Sequence, residues 1–167
     1  MTKSINCRYL INKLTSRLIN FLNEQLNIKT KNTHFILNNI EKMQLNSVTT
    51  LINVEWQVKV IVLISYQQAL FDEIFTRYTD GLFIDKNEKE DALIDSAGDI
   101  INIVVGNTLA EIKNQPHAII MSLPLLIKDK RQITCKHDTL FYQAKLITEL
   151  GQLDIYLISN TIGEINE

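Results

Sequence analysis

The stretch from Asp91 to Ile112 constrains the fold of this chain most, because its apolar residues repeat with the period of an α-helix. Residues that recur at three- and four-residue steps form one stripe, made of Leu93, Ala97, Ile100, Ile101, Val104, Thr108 and Ile112. Such a stripe is the buried face of an amphipathic helix. The sequence therefore predicts a helix that packs on a core.

The opposite face of this helix carries small and polar residues. Spacings of four, three and four separate Asp95, Asp99, Asn102 and Gly106, and Gly98 lies beside them. Each glycine inside a helix lowers helix stability by about 1 kcal/mol relative to alanine, and asparagine is a poor helix former. Helix stability therefore does not explain why these residues are present. Two interpretations stay open: a surface where another backbone approaches closely, or a solvated face whose glycines serve internal packing, which spacing alone slightly favours.

Size and composition predict one globular domain over residues 1–167, with 46% hydrophobic and 22% charged residues. The net charge of -2 argues against a nucleic-acid partner, which needs a concentrated basic face. No apolar run approaches the roughly 20 residues that cross a bilayer, and the N-terminus lacks the apolar segment of a signal peptide. A cytoplasmic protein without a membrane partner is expected.

Other segments predict one more long helix and two hairpins. Arg8–Leu26 has a helical apolar stripe, whereas apolar and polar residues alternate in Val48–Ser65, which predicts a hairpin turning near Glu55–Gln57. After Lys59 the polar alternation stops, so the second strand of this hairpin is predicted to be covered on both faces. The proline within Ala118–Ile127 favours an edge strand or a bulge. Alternation through Tyr142–Leu157 predicts a second antiparallel hairpin.

A third helix is predicted by the apolar stripe of Ala69, Leu70, Ile74, Phe75 and Tyr78. Capping patterns predict where this helix and the central helix begin. Ser65 and Gln68 have the spacing of a capping box, and Asn87 is the predicted N-cap of the central helix. Short strands are predicted at Thr33–Leu37 and from Gln132 to Thr134. Helices and hairpins in this order predict an α+β fold, with a mostly antiparallel β-sheet packed against long α-helices.

Motifs for chemistry carried out by this chain alone are missing from the sequence. It has no phosphate-binding glycine loop, nucleophile elbow or zinc motif. Cys135 and His137 would lie on one face of a strand, but two ligands without a second pair rarely make a metal site. No metal or cofactor bound by this chain is therefore predicted.

The central helix resembles a segment of a known group of signalling proteins. Asp95–Asn107 reads DSAGDIINIVVGN and is similar to the DAxGEIxNxxxGN segment of the CheX and CheC group of chemotaxis phosphatases. Met121–Ile127, which reads MSLPLLI, looks like the Ser-x-Pro segment that follows this helix in CheX-like domains. The specific part of the resemblance consists of Asp99, Asn102, Gly106 and Asn107.

This resemblance implies a CheX-like domain, commonly a homodimer through edge-strand pairing. It also implies hydrolysis of the aspartyl phosphate on a CheY-type response regulator, which supplies the phosphorylated aspartate and the Mg²⁺. In the family, an asparagine orients the attacking water and a glutamate three residues earlier pairs with a lysine of the regulator. Asn102 and Asp99 occupy these positions, and Asp95, Gly98 and Gly106 are expected to contact the partner.

Asp99 departs from the family pattern, because aspartate is one carbon shorter than glutamate and its carboxylate falls back by roughly 1.5 Å. A misplacement of that order can cost on the order of 100-fold in rate. The turn near Glu55–Gln57 also lacks the glycine that family members often have. Two hypotheses follow: a working phosphatase with a slightly reseated helix, or a non-catalytic CheX-like module that binds a regulator or another signalling partner.

Overall fold

A computed structural model of the chain describes residues 6–37, 40–56, 59–112, 118–134 and 139–160. The helices within these ranges are α1 (Cys7–Leu26), α2 (Gln68–Tyr78) and α3 (Lys89–Ile112). The strands are β1 (Thr30–Ile36), β2 (Lys42–Leu45), β3 (Val48–Glu55), β4 (Lys59–Tyr66), β5 (Ile120–Met121), β6 (Leu125–Ile127), β7 (Arg131–Thr134), β8 (Thr139–Thr148) and β9 (Gln152–Asn160).

The main sheet has the order β1-β8-β9-β4-β3-β5, and β6 also pairs with β3. Every pairing in this sheet is antiparallel. The three helices pack on one face, where their apolar stripes and alternate residues of the strands form the core. The predicted α+β class with an antiparallel sheet is confirmed.

The second face of the main sheet is partly covered by a two-stranded antiparallel sheet of β2 and β7. Met43 and Leu45 of β2 are buried there against Leu63, Phe141 and Tyr156. Burial on this face explains why β4 lost its polar alternation in the sequence, as predicted for a strand covered on both sides. Strand β7 was predicted from the sequence, but β2 was not.

Helix α1 matches its prediction closely. The side chain of Asn6 accepts a hydrogen bond from the backbone N–H of Arg8 at 2.8 Å, which caps the first turn. At the other end Asn27 has φ 52°, the left-handed conformation that often ends a helix. The apolar stripe between these caps is buried from Leu10 to Leu26.

The predicted starts of the later helices were wrong. Ser65 lies inside β4, fully buried, and its Oγ accepts from the backbone N–H of Asn46 at 2.7 Å, so it caps no helix. Helix α2 begins at Gln68 without a side-chain cap. Asn87 lies in the turn before α3, where its backbone N–H donates to the Asp85 side chain at 2.9 Å.

Both predicted hairpins and the edge strands are confirmed. Strands β3 and β4 pair in register, although Gln57 and Val58 at their turn lie outside the described residues. The apolar stretch around Pro124 forms β5 and β6, which both pair with β3 and are separated at the proline. Ser122 fixes the connection between them, because its backbone N–H donates to the carbonyl of Asn53 at 3.0 Å.

In the described ranges, no helix combines the length and the apolar character needed to cross a bilayer. Cys7 is buried in α1, whereas Cys135 and His137 lie outside the described residues.

Candidate functional site

The site is built on α3, whose inner face anchors it to the core. The predicted stripe is buried at its centre, from Ala97 to Thr108, and only partly buried at Leu93 and Ile112. Ser96 is also buried, although it does not belong to the predicted stripe. Its hydroxyl has a partner there, because Oγ donates to the carbonyl of Ala92 at 2.7 Å inside the helix. The inner face therefore holds the orientation of the outer one.

The outer face of α3 borders a cavity of about 320 Å³ between this helix and β6. Four of the five predicted site residues, Asp95, Gly98, Asp99 and Asn102, line it. Apolar and buried polar side chains complete the lining, namely Thr50, Ile94, Pro124, Leu125 and Leu126. Gly106, the fifth predicted residue, lies further along the helix and does not line the cavity.

The two glycines have different surroundings. A Cβ at Gly98 would lie 3.5 Å from the Cβ and Cγ of Pro124, an ordinary van der Waals separation, and a Cβ at Gly106 would meet no atom of the described residues within 4 Å. Internal packing thus does not exclude alanine at either position. This weakens the interpretation in which the glycines serve packing inside the chain.

Asp99 has one described hydrogen-bond partner, a side chain that the sequence had not indicated. The Tyr78 hydroxyl, at the end of α2, donates to Asp99 Oδ2 at 3.5 Å. Burial first, and then the charge of Asp99 and this hydrogen bond, raise the pKa of Tyr78 above its usual value. The tyrosine therefore stays protonated, and able to donate, through the neutral pH range.

The carboxylates of the site are exposed and carry uncompensated negative charge. Asp95 and Asp99 are both solvent-exposed, one helical turn apart. Among the described residues, no lysine, arginine or histidine forms an ion pair with either. In the same part of the chain, no three His, Cys, Asp or Glu side chains are grouped so that they could hold a metal ion.

Asn107, which belongs to the resemblance but not to the predicted site, lies on a different surface. It lines a second cavity of about 530 Å³ between the three helices. Tyr78 also lines that cavity, while its hydroxyl contacts the carboxylate of Asp99. The helix thus presents Asn102 and Asn107 to two different surroundings.

Comparison with solved structures identifies the fold. The CheX chemotaxis protein from Desulfovibrio desulfuricans has 12% sequence identity and a TM-score of 0.70, over 89% of this chain and 97% of that one. A CheC-like superfamily protein from Shewanella sp. PV-4 has 22% identity and a TM-score of 0.64, over 95% and 98% of the two chains. CheX in the CheX–CheY–BeF3–Mg²⁺ complex from Borrelia burgdorferi has 13% identity and a TM-score of 0.69, over 90% and 96%.

These likenesses confirm the predicted CheX-like and CheC-like fold. At 12–22% identity they establish the fold alone. No protein-family model matches the sequence, and no curated protein sequence matches it.

Proposed function

We propose that this chain accelerates hydrolysis of the aspartyl phosphate on a CheY-type response regulator. The observation that carries the proposal is the joint position of Asp99 and Asn102. They are exposed, three residues apart on α3, and line one cavity. The complex from B. burgdorferi, in which CheX is bound to CheY, supports a response regulator as the partner.

Asn102 is proposed to orient the attacking water. An amide can accept a hydrogen bond from water and donate one to a phosphoryl oxygen, and phosphoryl transfer is catalysed mainly by positioning and charge stabilisation. The water oxygen attacks phosphorus and the bond from phosphorus to the aspartate oxygen breaks. The products are inorganic phosphate, which retains the water oxygen, and the free carboxylate of the regulator.

Asp99 is proposed to anchor the helix to the regulator. Its carboxylate is exposed and unpaired with any described basic side chain, so it is available for a charge-assisted hydrogen bond to a regulator lysine. The Mg²⁺ expected on the regulator would supply neutralising charge at the phosphoryl oxygens. Asp95, Gly98 and Gly106 are proposed contacts around this anchor.

A second candidate function is binding without catalysis, and the short side chain of Asp99 favours it. Its carboxylate falls back by roughly 1.5 Å relative to glutamate. If the helix shifts by that distance to let Asp99 reach the regulator, it can still bind, but Asn102 no longer lies where it can orient the attacking water. The same fold and the same surface serve both functions.

The test is the decay of a phosphorylated CheY-type regulator from the same organism in the presence of Mg²⁺. Decay is measured with the regulator alone, with the wild-type chain, and with the Asn102→Ala variant. We expect the wild type to accelerate decay and Asn102→Ala to lose about 100-fold or more of that acceleration, since the variant cannot hold the water.

Asn23→Ala is the matched control, because Asn23 is an exposed asparagine on α1 that lines neither cavity. Equal losses in Asn23→Ala and Asn102→Ala would contradict the role of Asn102. Absence of acceleration by the wild type, together with binding to the beryllofluoride-loaded regulator, would establish the non-catalytic function instead.

A homodimer remains a prediction. Exposed apolar residues lie along the β5–β6 edge, where Ile120 is 61% and Leu125 59% exposed, and an uncovered edge can pair with another strand. Sedimentation of the purified chain is the test. A monomer at high micromolar concentration would exclude edge pairing as a stable assembly.

A further inference from the structure

Tyr78 joins the core to the proposed anchor. It is the last residue of α2, it is half-buried, and its ring lies against Phe21 of α1 with 6.2 Å between ring centroids and 48° between ring planes. Its hydroxyl reaches Asp99 Oδ2 at 3.5 Å. A side chain held by one helix and packed on a second therefore contacts the acidic residue of the third.

We propose that Tyr78 is a positioning residue for Asp99, an inference that rests on the proposed function. An exposed aspartate samples several rotamers, and a fixed hydroxyl donor favours the one that faces the donor. Tyrosine suits this task because it loses little conformational entropy when its ring is packed. The contact directs the short carboxylate of Asp99 before a partner arrives, which lowers the entropic cost of pairing with the partner's cation.

The electrostatic surroundings agree with this role. Asp99 raises the pKa of Tyr78 through its charge and the hydrogen bond, with burial as the larger cause. The charged side chains that line the second cavity together with Tyr78 are Arg17, Glu24 and Arg77. The arginines have no acceptor to offer, and the described acceptor of the tyrosine hydroxyl is Asp99.

The contact is tested first without a regulator, by following the ring signals of ¹³C-labelled tyrosine through a pH titration. Asp99→Ala removes the nearby charge and the acceptor, so the pKa of Tyr78 is expected to fall in this variant relative to the wild type. The same titration in Asp95→Ala is the control, because no hydrogen bond joins Asp95 to Tyr78. An unchanged Tyr78 titration in Asp99→Ala would overturn the proposal.

The consequence is tested with Tyr78→Phe, which keeps the ring against Phe21 and removes only the hydroxyl. We expect a loss of about 2- to 3-fold in stimulated dephosphorylation, the lower end of the range for one hydrogen bond, because the contact is long at 3.5 Å. In an Asp99→Ala background, Tyr78→Phe should cause no further loss, because the tyrosine acts through the carboxylate. Tyr9→Phe, at an exposed tyrosine of α1, is the control.

The outcomes separate this inference from the proposed function. Two results would overturn the positioning role while leaving the phosphatase proposal intact. One is full activity of Tyr78→Phe, and the other is an equal loss of activity from Tyr78→Phe in the wild-type and Asp99→Ala backgrounds. If the wild type accelerates nothing, the phosphatase proposal fails. In that case the titration, together with the effect of Tyr78→Phe on affinity for the beryllofluoride-loaded regulator, still decides whether Tyr78 positions Asp99.

Discussion

Helices α1 and α3 pack side by side on the same sheet, yet their outer faces differ. Both bury an apolar stripe at their centre, in helices that are 20 residues long for α1 and 24 for α3. The outer face of α1 carries long polar side chains: Lys13, Arg17, Asn20 and Glu24. That of α3 carries two glycines, two aspartates and an asparagine, and all of them except Gly106 line a cavity.

The difference shows that burial constrains only one side of each helix. On α1, Arg17 pairs with Glu111 of α3, so this surface contributes to holding the helices together. The glycines of α3 leave the backbone open, at a cost in helix stability that no contact among the described residues requires. This difference supports the proposal that the function resides on α3.

The inner faces should be equivalent, and the largest expected effects test this. Leu14→Ala on α1 and Ile101→Ala on α3 each remove a fully buried side chain and should lower the free energy of unfolding by about 2–5 kcal/mol. Urea denaturation of both variants measures it. A loss below about 1 kcal/mol in Ile101→Ala alone would mean that α3 is not anchored as strongly as α1.

The outer faces should differ in activity. Asp99→Ala removes the proposed anchor and is expected to reduce stimulated dephosphorylation about 100-fold, whereas Glu24→Ala on α1 should leave it unchanged. Both residues are exposed acids, so the pair controls for net charge. The comparison between the helices fails if the two variants lose activity to the same extent.

Lengthening the anchor should sharpen the comparison further. Asp99→Glu restores the carboxylate reach found in the family, and a gain of up to about 100-fold in rate is expected if the short side chain limits catalysis. Asp95→Glu, one turn earlier on the same face, should give no gain. An Asp99→Glu variant without any gain would favour the non-catalytic function.

The smallest expected effect concerns the glycines. Gly98→Ala and Gly106→Ala should each raise the free energy of unfolding by about 1 kcal/mol, because the added methyl group meets only ordinary contacts or open space. Thermal or urea denaturation measures this. A variant that is more stable but loses affinity for the regulator would indicate that the partner's backbone lies against α3. A destabilised variant would contradict the contacts described for a Cβ at that glycine.

Much of the fold was predictable because its signals are local. The stripe of α3, the stripe of α1 and the alternation of β3 and β4 follow from single stretches of sequence whose period matches one secondary structure. The grouping of Asp95, Asp99 and Asn102 followed from helical spacing in the same way. For these residues the geometry of a regular element places the side chains before any long-range contact forms.

Other features could not be predicted, because they depend on contacts between distant residues. Ser65 has the spacing of a helix cap, but its hydroxyl also bonds to Thr49 across the sheet and the residue is buried in β4. Strand β2 is too short to show a period, and its pairing with β7 joins Lys42 to Thr134. Such strand pairings depend on how much apolar surface the whole fold buries.

Periodicity alone established the helices, the hairpins and the polar stripe, because each is a repeat within one segment. The contact between Tyr78 and Asp99, the position of Pro124 beside Gly98 and the cavity between α3 and β6 arise only when separate elements pack together. Local spacing states which side chains share a face. Packing of the helices on the sheet determines what those side chains meet, since their partners come from other segments of the chain.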